Sequence, residues 1–369
     1  MLNSLFIKNY RNLKELKISS LGRVNLITGK NNTGKSTLLE AVALYASKGN
    51  LNLIDQFLTE RGENYKGKVN PETIIRSFSS LFTDRKIGFS NEDAIQVSSL
   101  EKGVIGEGAS LSVRFVKYFN ETHRNEKYGI TSNKRVIIEN DADDQVENYK
   151  IGLELKVGII QTLLSFDEEF PSKPWFKTNS LEENYQFIRT RNIDREINGE
   201  LFDKIALTEK EQFVSEALKI IEPTIERIAF IGENSRERTA VIKLTNVASP
   251  LPLRSMGDGI NRILTIILAL VNANSGFLLI DEFENGLHFS VQEKLWDIIF
   301  KLAQKLNVQV FVTTHSEDCI AGFENILNNP ENQLDGKLIR LDNIHGKIQQ
   351  VEFSANDLKI ATKNDIEIR

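Results

Sequence analysis

Apolar side chains recur along the chain at two spacings, and these spacings predict where its strands and helices lie. Short apolar runs bounded by Gly, Asn and Asp predict strands, and apolar residues three and four positions apart predict helices. The predicted strands cover 5–7, 13–18, 24–27, 94–97, 111–115, 136–138, 186–189, 225–232, 239–245, 276–280, 308–312, 337–341 and 347–353. The predicted helices cover 35–46, most of 50–82, 208–221, 260–271, 290–306 and 357–362. Fully apolar strands alternating with helices indicate an α/β protein.

The length and the uneven pattern predict how the chain divides into domains. Its 369 residues exceed what one hydrophobic core usually holds, so we expect two domains or one domain with a large insertion. We predict a discontinuous head, 1–46 and 225–369, and an insertion, 47–224, that holds further head strands and a β-rich and helical subdomain. The insertion carries no sustained heptad repeat, which argues against a long coiled-coil arm. Near the end, 337–341 and 347–353 predict a hairpin that turns at Asp342 and Asn343.

Composition and charge narrow the possible functions. The formal net charge of -5 and the isoelectric point near 5.7 argue against a uniformly basic nucleic-acid binder, so any DNA contact must be local. No apolar run approaches the length of a membrane span, and the N-terminus lacks a signal-peptide pattern, so we expect a cytoplasmic protein without a membrane partner. The single cysteine, Cys319, excludes an internal disulfide and a thiolate metal cluster.

A phosphate-binding motif follows the predicted strand 24–27. The segment from Gly29 to Ser36 matches G-x-x-x-x-G-K-[ST] at every fixed position, with an apolar strand before it and a helical pattern after it. Backbone N–H groups of such a loop surround a phosphate, Lys35 reaches the β- and γ-phosphates, and the Ser36 hydroxyl binds Mg²⁺. The residues predicted to contact ATP here are Gly29, Asn31, Asn32, Thr33, Gly34, Lys35, Ser36 and Thr37. A Gly-rich turn that matches by chance would not require that strand and helix context.

A second candidate phosphate contact precedes the apolar helix predicted at 260–271. Ser255, Gly257 and Gly259 follow a Pro-rich turn and lie at the start of this helix. A hydroxyl, unhindered backbone N–H groups and the positive end of a helix dipole suit a phosphate. An N-capped buried helix without a ligand is the alternative interpretation of this segment alone.

Two acids and a histidine end neighbouring apolar strands. Asp281 and Glu282 follow the strand 276–280, and the carboxyl end of a buried parallel strand is where an α/β sheet holds ligands. Asp281 is placed to hold Mg²⁺, and Glu282 to orient and deprotonate the attacking water. The next predicted strand, 308–312, is followed by two threonines and then by His315. A histidine at this strand end can hydrogen-bond the γ-phosphate. A surface pair of acids and an unrelated strand-end histidine are the structural alternatives.

These motifs, in this order, resemble those of the ATP-binding cassette heads of SMC-like, RecF-like and OLD-like ATPases. Ser255 to Gly259 is similar to the S-x-G-[DE]-G form of the cassette signature, and the segment I-D-E-x-E-N-G-L-H from 280 to 288 is similar to the D-loop region of OLD-like ATPases. The Asn-Tyr-Arg-Asn turn at 9–12 resembles a segment whose basic residue lies close to nucleotide in those families, so the resemblance makes Arg11 a candidate contact; a solvated turn arginine is the alternative.

The resemblance implies an α/β P-loop NTPase of ABC-ATPase type, a mixed sheet with flanking helices, and a large α+β insertion. It implies ATP and Mg²⁺ as cofactors, with Glu282 and His315 as catalytic residues and Ser36 and Asp281 as metal ligands. With one P-loop and one signature in the chain, a head-to-tail homodimer completes two sites. The tail after His315 is too short for the TOPRIM nuclease domain of OLD nucleases, so we expect an ATPase head that controls a separately encoded effector, a nuclease, in anti-phage defence. A RecF-like repair ATPase that binds DNA and a non-hydrolysing scaffold are the alternatives.

Overall fold

The computed structural model describes two compact units of the chain. The described residues are 1–64, 70–101, 104–105, 110–125, 130–139, 148–166, 185–190, 195–232, 238–273, 275–329, 334–364 and 368. The first unit comprises Met1–Ser4, Ile18–Leu39 and Glu182–Arg369, and the second comprises Leu5–Lys17 and Glu40–Leu181. The predicted division into a head, 1–46 and 225–369, and an insertion, 47–224, stays a prediction.

The predicted strands and helices have counterparts in the structure. The strands are β1 (Leu5–Tyr10), β2 (Leu13–Ile18), β3 (Val24–Thr28), β4 (Ile95–Ser98), β5 (Leu100–Glu101), β6 (Val104–Ile105), β7 (Leu111–Asn125), β8 (Ile130–Ile137), β9 (Lys150–Val157), β10 (Ile160–Ser165), β11 (Tyr185–Ile188), β12 (Ile225–Ile231), β13 (Thr239–Leu244), β14 (Leu251–Pro252), β15 (Phe277–Ile280), β16 (Gln309–Thr313), β17 (Gly336–Ile344) and β18 (Lys347–Phe353). The helices are α1 (Lys35–Ala46), α2 (Leu51–Glu60), α3 (Pro71–Ser79), α4 (Arg195–Asp203), α5 (Glu209–Ile221), α6 (Asp258–Asn272), α7 (Phe289–Lys305), α8 (Glu317–Leu327) and α9 (Ala355–Lys363). Of these elements, α4, α8, β9 and β10 lie where no element was predicted.

The first unit contains a mixed sheet in the order β11-β15-β16-β3-β17-β18. Neighbouring strands from β11 to β17 run parallel, and only the edge strand β18 is antiparallel to its neighbour. All side chains of β3 and β16 are buried, because both faces of a parallel sheet are covered. Parallel pairing brings the carboxyl ends of β3, β15 and β16 to one edge, where the motifs lie.

Helix α6 is the most deeply buried helix of the first unit. Nearly all its residues from Ile260 to Val271 are buried, and it packs against α4, α5, α7 and β11. Trp296 of α7 stacks on Phe283 with 4.4 Å between ring centroids, which joins α7 to the segment that follows β15. The core therefore lies directly beneath the ends of the strands that carry the acids.

The second unit contains an antiparallel sheet in the order β10-β9-β7-β4-β1-β2, and β8 also pairs with β7. Its helices α2 and α3 occupy most of the predicted helical stretch 50–82. Asn70 caps α3 and Pro71 takes its first turn, which separates the two helices. The structure thus confirms the predicted strands at 94–97, 111–115 and 136–138 and extends the second of them to Asn125.

One predicted turn was wrong. β17 continues to Ile344 and the hairpin with β18 turns at His345 and Gly346, not at Asp342 and Asn343. Both turn residues have positive φ, 51° and 79°, which matches the two-residue turns that suit the twist of a hairpin. Asp342 and Asn343 are paired within the ladder instead.

No helix among the described residues has the length and apolar character needed to cross a membrane.

Candidate nucleotide-binding site

The phosphate-binding motif forms a tight loop between β3 and α1. Gly29 and Gly34 have φ values of 134° and 90°, which side-chain-bearing residues rarely adopt. A Cβ at Gly29 would collide with the carbonyl oxygen of Leu341, so this position accepts only glycine. Asn31 and Asn32 are exposed at the tip. The loop has the shape that a backbone needs to wrap a small anion.

The side chain of Lys35 lies back over this loop. Its Nζ donates to the carbonyl oxygens of Gly29 and Lys30 over 2.7 and 2.9 Å. Burial lowers the pKa of Lys35 to about 8, while the carboxylates of Asp281 and Glu282 oppose that shift. Thr33 closes the loop by donating to the Lys30 carbonyl over 2.9 Å, and Thr37 is buried behind it. The ammonium group is therefore held at the centre of the loop.

Asp281 joins four elements at the strand ends. The Ser36 hydroxyl donates to its Oδ1 over 3.1 Å, and the Thr313 hydroxyl donates to the same oxygen over 2.7 Å. Thr190, just after β11, donates to Oδ2 over 3.4 Å. The two predicted metal ligands, Ser36 and Asp281, are thus brought into direct contact. No sequence pattern predicts that Thr190 and Thr313 contact Asp281, since these contacts depend on the order of the strands in the sheet.

Glu282 follows in a strained backbone conformation. Its φ of 52° lies in the left-handed region, which costs a residue other than glycine about 1–3 kcal/mol. The backbone N–H of Glu282 donates to Thr313 Oγ1 over 2.9 Å, and the side-chain amide of Asn285 donates to Oε2 over 2.8 Å. The tight turn after β15 thus carries the Glu282 carboxylate away from the buried strand and holds it in one orientation.

A third acid, Glu284, organises the loop that carries His315. Its Oε1 accepts from the backbone N–H of His315 and its Oε2 accepts from the hydroxyl of Thr314, both over 2.7 Å. Burial, followed by the positive charge of Lys35, lowers the pKa of His315 below its ordinary value. The imidazole is consequently neutral at neutral pH. The sequence marks Glu284 only as one more acid in the stretch after β15, and its partners become evident in the fold.

The signature residues lie at the N-terminus of α6. Ser255 is in a 3₁₀ turn and donates to the carbonyl oxygen of Pro252 over 2.7 Å. Gly257 caps α6 with a φ of 99°, and both residues are exposed. A Cβ at Gly259 would lie 2.9 Å from the carbonyl oxygen of Gly286, so the helix start packs closely on the loop after β15. Ser255 and Gly257 are both exposed, as a contact to another molecule requires.

Arg11 belongs to the second unit and is buried, with 7% of its side chain exposed. Its guanidinium forms ion pairs with Glu40 over 2.9 Å and Glu63 over 2.7 Å. The interpretation of Arg11 as a solvated turn arginine is therefore wrong. A contact between Arg11 and nucleotide stays a prediction.

The residues present fit a Mg²⁺–nucleotide complex. Among the described residues no three His, Cys, Asp or Glu side chains cluster as a complete metal site. Mg²⁺ is usually held by one or two protein oxygens together with substrate phosphates and water, and the paired Ser36 and Asp281 oxygens supply such a partial site. Lys35 and the Gly-rich loop supply the phosphate contacts beside it.

Comparison with models of protein families shows which family this chain belongs to. The family described as "AAA ATPase domain" matches residues 1–320. The chain belongs to this AAA ATPase family. It is similar to an ATP/GTP phosphatase of Helicobacter pylori, with 25% identity over 340 residues that cover 89% of this chain and 88% of that protein. A stretch of 47 residues is 51% identical to an uncharacterised protein of Methanocaldococcus jannaschii and covers 13% of this chain and 22% of that one.

Among solved structures, the AAA ATPase chain resembles an SMC head bound to the C-terminal winged-helix domain of ScpA. The two share 14% identity with a TM-score of 0.51, over 98% of this chain and 99% of the other. At this identity the likeness concerns the fold alone, and it confirms the predicted P-loop ATPase fold of ABC type with a mixed sheet and flanking helices. Membership of the OLD-like branch stays a prediction.

Proposed function

We propose that the chain hydrolyses ATP with Mg²⁺ in a site completed by a second copy of itself. The observation that carries this proposal is the 3.1 Å hydrogen bond from Ser36 to Asp281, beside the fixed carboxylate of Glu282. This contact joins the phosphate loop to the acidic strand end. A P-loop that had matched by chance would not place its serine on that carboxylate.

The P-loop side of the site binds and neutralises the phosphates. Backbone N–H groups between Gly29 and Lys35 and the N-terminus of α1 surround the β-phosphate, and the Lys35 ammonium moves from the loop carbonyls to the phosphate oxygens. Ser36 and Asp281 would hold Mg²⁺, which would supply positive charge beside the phosphates. These contacts account for binding and for the charge that develops on the leaving group.

Glu282 and His315 act on the attacking water and on the γ-phosphate. Asn285 fixes the Glu282 carboxylate, which accepts a hydrogen bond from water and takes its proton. His315 donates a hydrogen bond from its ring N–H to a γ-phosphate oxygen. Glu284 keeps the His315 loop against the strand end through the backbone N–H of His315.

The signature residues Ser255 and Gly257 supply the second half of the site from the other copy. Both are exposed, and Gly257 leaves the first backbone N–H groups of α6 unobstructed. A two-fold arrangement in which each copy presents its signature to the other's P-loop completes two equal sites. ATP then joins two copies, and hydrolysis releases them.

Glu282→Gln tests this mechanism against the wild type and Lys35→Ala. We expect Glu282→Gln to bind a fluorescent ATP analogue, to lose phosphate release, and to sediment as a dimer with ATP. Lys35→Ala is expected to lose nucleotide binding. Glu226→Gln changes an exposed acid on β12 and serves as the matched control with wild-type turnover. Undiminished hydrolysis by Lys35→Ala, or a Glu282→Gln monomer with ATP, overturns the proposal.

The biological role that we propose is an ATP-gated switch that controls a separately encoded nuclease in anti-phage defence. Its support is the resemblance of 280–288 to the D-loop region of OLD-like ATPases. Phage plating on cells that carry the gene with its neighbours, compared with the Glu282→Gln variant, tests this role. Loss of protection in the variant supports it. Equal plating with and without the wild-type gene contradicts it, and ATPase stimulation by duplex DNA would support the RecF-like repair role instead.

A further inference from the structure

A fully buried arginine connects the signature helix to the segment that carries the catalytic acid. Arg262 lies on α6 and is 0% exposed. Its Nη2 donates to the backbone carbonyl oxygens of Asp281 over 3.1 Å and Glu282 over 3.3 Å. These carbonyls follow the last residue of β15, where the backbone leaves the sheet and loses its ladder partners.

The remaining nitrogens of Arg262 are incompletely satisfied. Nε and Nη1 are buried and make no hydrogen bond in the structure. A buried guanidinium with unpaired donors is costly, and α6 is otherwise apolar at almost every buried position. If position 262 only had to fill space in the core, an apolar side chain would be more stable there than an arginine. The negative charges of the Asp281 and Glu282 carboxylates favour the charged form of Arg262. Its hydrogen bonds, however, are made to the backbone carbonyl oxygens of these two residues.

The position of Arg262 links two parts of the proposed site. Gly257, the cap of α6, presents the signature residues to a second copy, and Arg262 follows less than two helical turns later on the same rigid helix. At its other end the contact is to the peptide of Glu282, whose φ of 52° needs support from its surroundings. A shift of α6 therefore moves the guanidinium against a strained backbone that carries the catalytic carboxylate.

We infer that Arg262 is a positioning residue that transmits docking of a second copy at Ser255 and Gly257 to the Glu282 carboxylate. The inference rests on the proposed ATPase function and deepens it. In the undocked copy Arg262 holds the peptide of Glu282 as described above. When the signature loop binds the other copy's γ-phosphate, α6 shifts and the guanidinium carries the peptide, and with it the carboxylate, into line with the attacking water. Nε and Nη1 supply donors for the shifted arrangement.

Arg262→Met and Arg262→Lys separate positioning from folding. Met fills similar volume without charge, and Lys keeps a cation that can reach the two carbonyls. We expect Arg262→Met to bind ATP and to dimerise like the wild type, with KM changed less than threefold and kcat reduced at least about 30-fold. We expect Arg262→Lys to recover most of that loss. Arg227→Met, at an exposed position of β12, is the matched control.

Trp296 provides a direct readout of the coupled segment. It stacks on Phe283, the residue after Glu282, and the only other tryptophan is Trp175. In a Trp175→Phe background we expect ATP to change the Trp296 emission of the wild type. A Ser255→Arg variant, which blocks docking, should lose the change. Arg262→Met should form the ATP dimer but show no change in Trp296 emission. A dimer that forms without the emission change is the result that distinguishes a positioning role from a structural one.

The outcomes distinguish the inference from the function on which it rests. Turnover by Arg262→Met within twofold of the wild type, or a wild-type Trp296 emission change in its dimer, overturns the inference and leaves the ATPase mechanism standing. A wild type that neither hydrolyses ATP nor dimerises overturns both. If Arg262→Met does not fold, the uncharged variant Arg262→Gln takes its place: wild-type kcat together with a wild-type Trp296 emission change in the Arg262→Gln dimer contradicts the coupling.

Discussion

The side-chain amide of Asn285 donates to Oε2 of Glu282 over 2.8 Å, three residues back along the same turn. The turn continues into Gly286, whose φ of 72° lets the backbone reverse. Asn285 therefore lies where it fixes one oxygen of the carboxylate and leaves Oε1 for a water molecule. The Asn285-Gly286 pair thus orients the acid that lies three residues before Asn285.

Asn285→Ala should lower kcat without weakening ATP binding. A hydrogen bond to a charged group contributes about 1.5–3 kcal/mol, so we expect kcat to fall roughly 10- to 100-fold. The measurement is steady-state phosphate release together with analogue binding. Asn325→Ala removes a comparable but exposed amide contact to Glu293 and is the control. Equal kcat in both variants would show that Asn285 does not orient the acid.

We expect Lys35 to make ATP binding dependent on pH. Its pKa in the free protein is about 8, below the ordinary value of 10.5, because it is buried. Phosphate charge raises that pKa in the complex, so above pH 8 the complex holds a proton that the free protein lacks. ATP binding therefore takes up a proton and weakens as the pH rises through about 8.

Calorimetry in buffers of different ionisation enthalpy measures this proton uptake. Lys35→Arg stays charged throughout the same pH range, so we expect no proton uptake and a flat pH dependence from that variant. The comparison isolates Lys35 from other groups that titrate above pH 8. Proton uptake by Lys35→Arg equal to that of the wild type would contradict the assignment.

The sequence alone predicts those residues of the candidate site that belong to a short local motif. Lys35, Ser36, Asp281 and Glu282 follow from local patterns, because a phosphate loop and a buried strand end each require a characteristic run of residues. The fold class followed for the same reason.

The supporting residues depend on contacts between distant segments. Thr190 and Thr313 reach Asp281 only because β11 and β16 flank β15, and that order is not written in any one segment. Arg262 is a charged residue in an otherwise apolar helical segment, so the sequence pattern alone would assign it to the exposed face of α6. The structure shows that it is buried. The hairpin turn was missed because Asp342 and Asn343 are turn formers by composition, whereas the turn that formed is set by positive φ at His345 and Gly346.

Glu284 should be needed for the position of His315. In Glu284→Gln one oxygen is replaced by an NH₂ group, which faces either the backbone N–H of His315 or the hydroxyl of Thr314. Losing one charged hydrogen bond lowers the free energy of unfolding by about 1–3 kcal/mol. We expect a lower urea midpoint and a reduced kcat, measured on the same preparation.

The conservative exchange Glu293→Gln, on the exposed side of α7, is the control for Glu284→Gln. It should leave both the midpoint and kcat unchanged, since exposed pairs contribute about 0–1 kcal/mol. A Glu284→Gln variant that unfolds at the wild-type midpoint would show that the two 2.7 Å contacts do not stabilise this loop.

In the second unit, Glu40 should be among the residues most sensitive to substitution. Its carboxylate, 11% exposed, pairs with Arg11 and with Arg61 and accepts from the hydroxyl of Tyr10 over 3.1 Å. Burial, and then the Glu40 charge, raises the pKa of Tyr10, so its phenol stays a donor. Glu40→Ala removes the acceptor of this donor and a carboxylate that pairs with Arg11, and leaves Arg11 its ion pair with Glu63. Breaking a buried ion pair in this way costs about 3–5 kcal/mol.

Asp297→Ala supplies the matched comparison for Glu40→Ala. Asp297 pairs with Lys301 on the surface of α7 over 2.7 Å, with 58% of the lysine side chain exposed, so its loss should cost less than about 0.5 kcal/mol. Denaturant unfolding followed by circular dichroism measures both variants. If Glu40→Ala costs no more than Asp297→Ala, the buried ion pair of Arg11 and Glu40 does not stabilise the second unit.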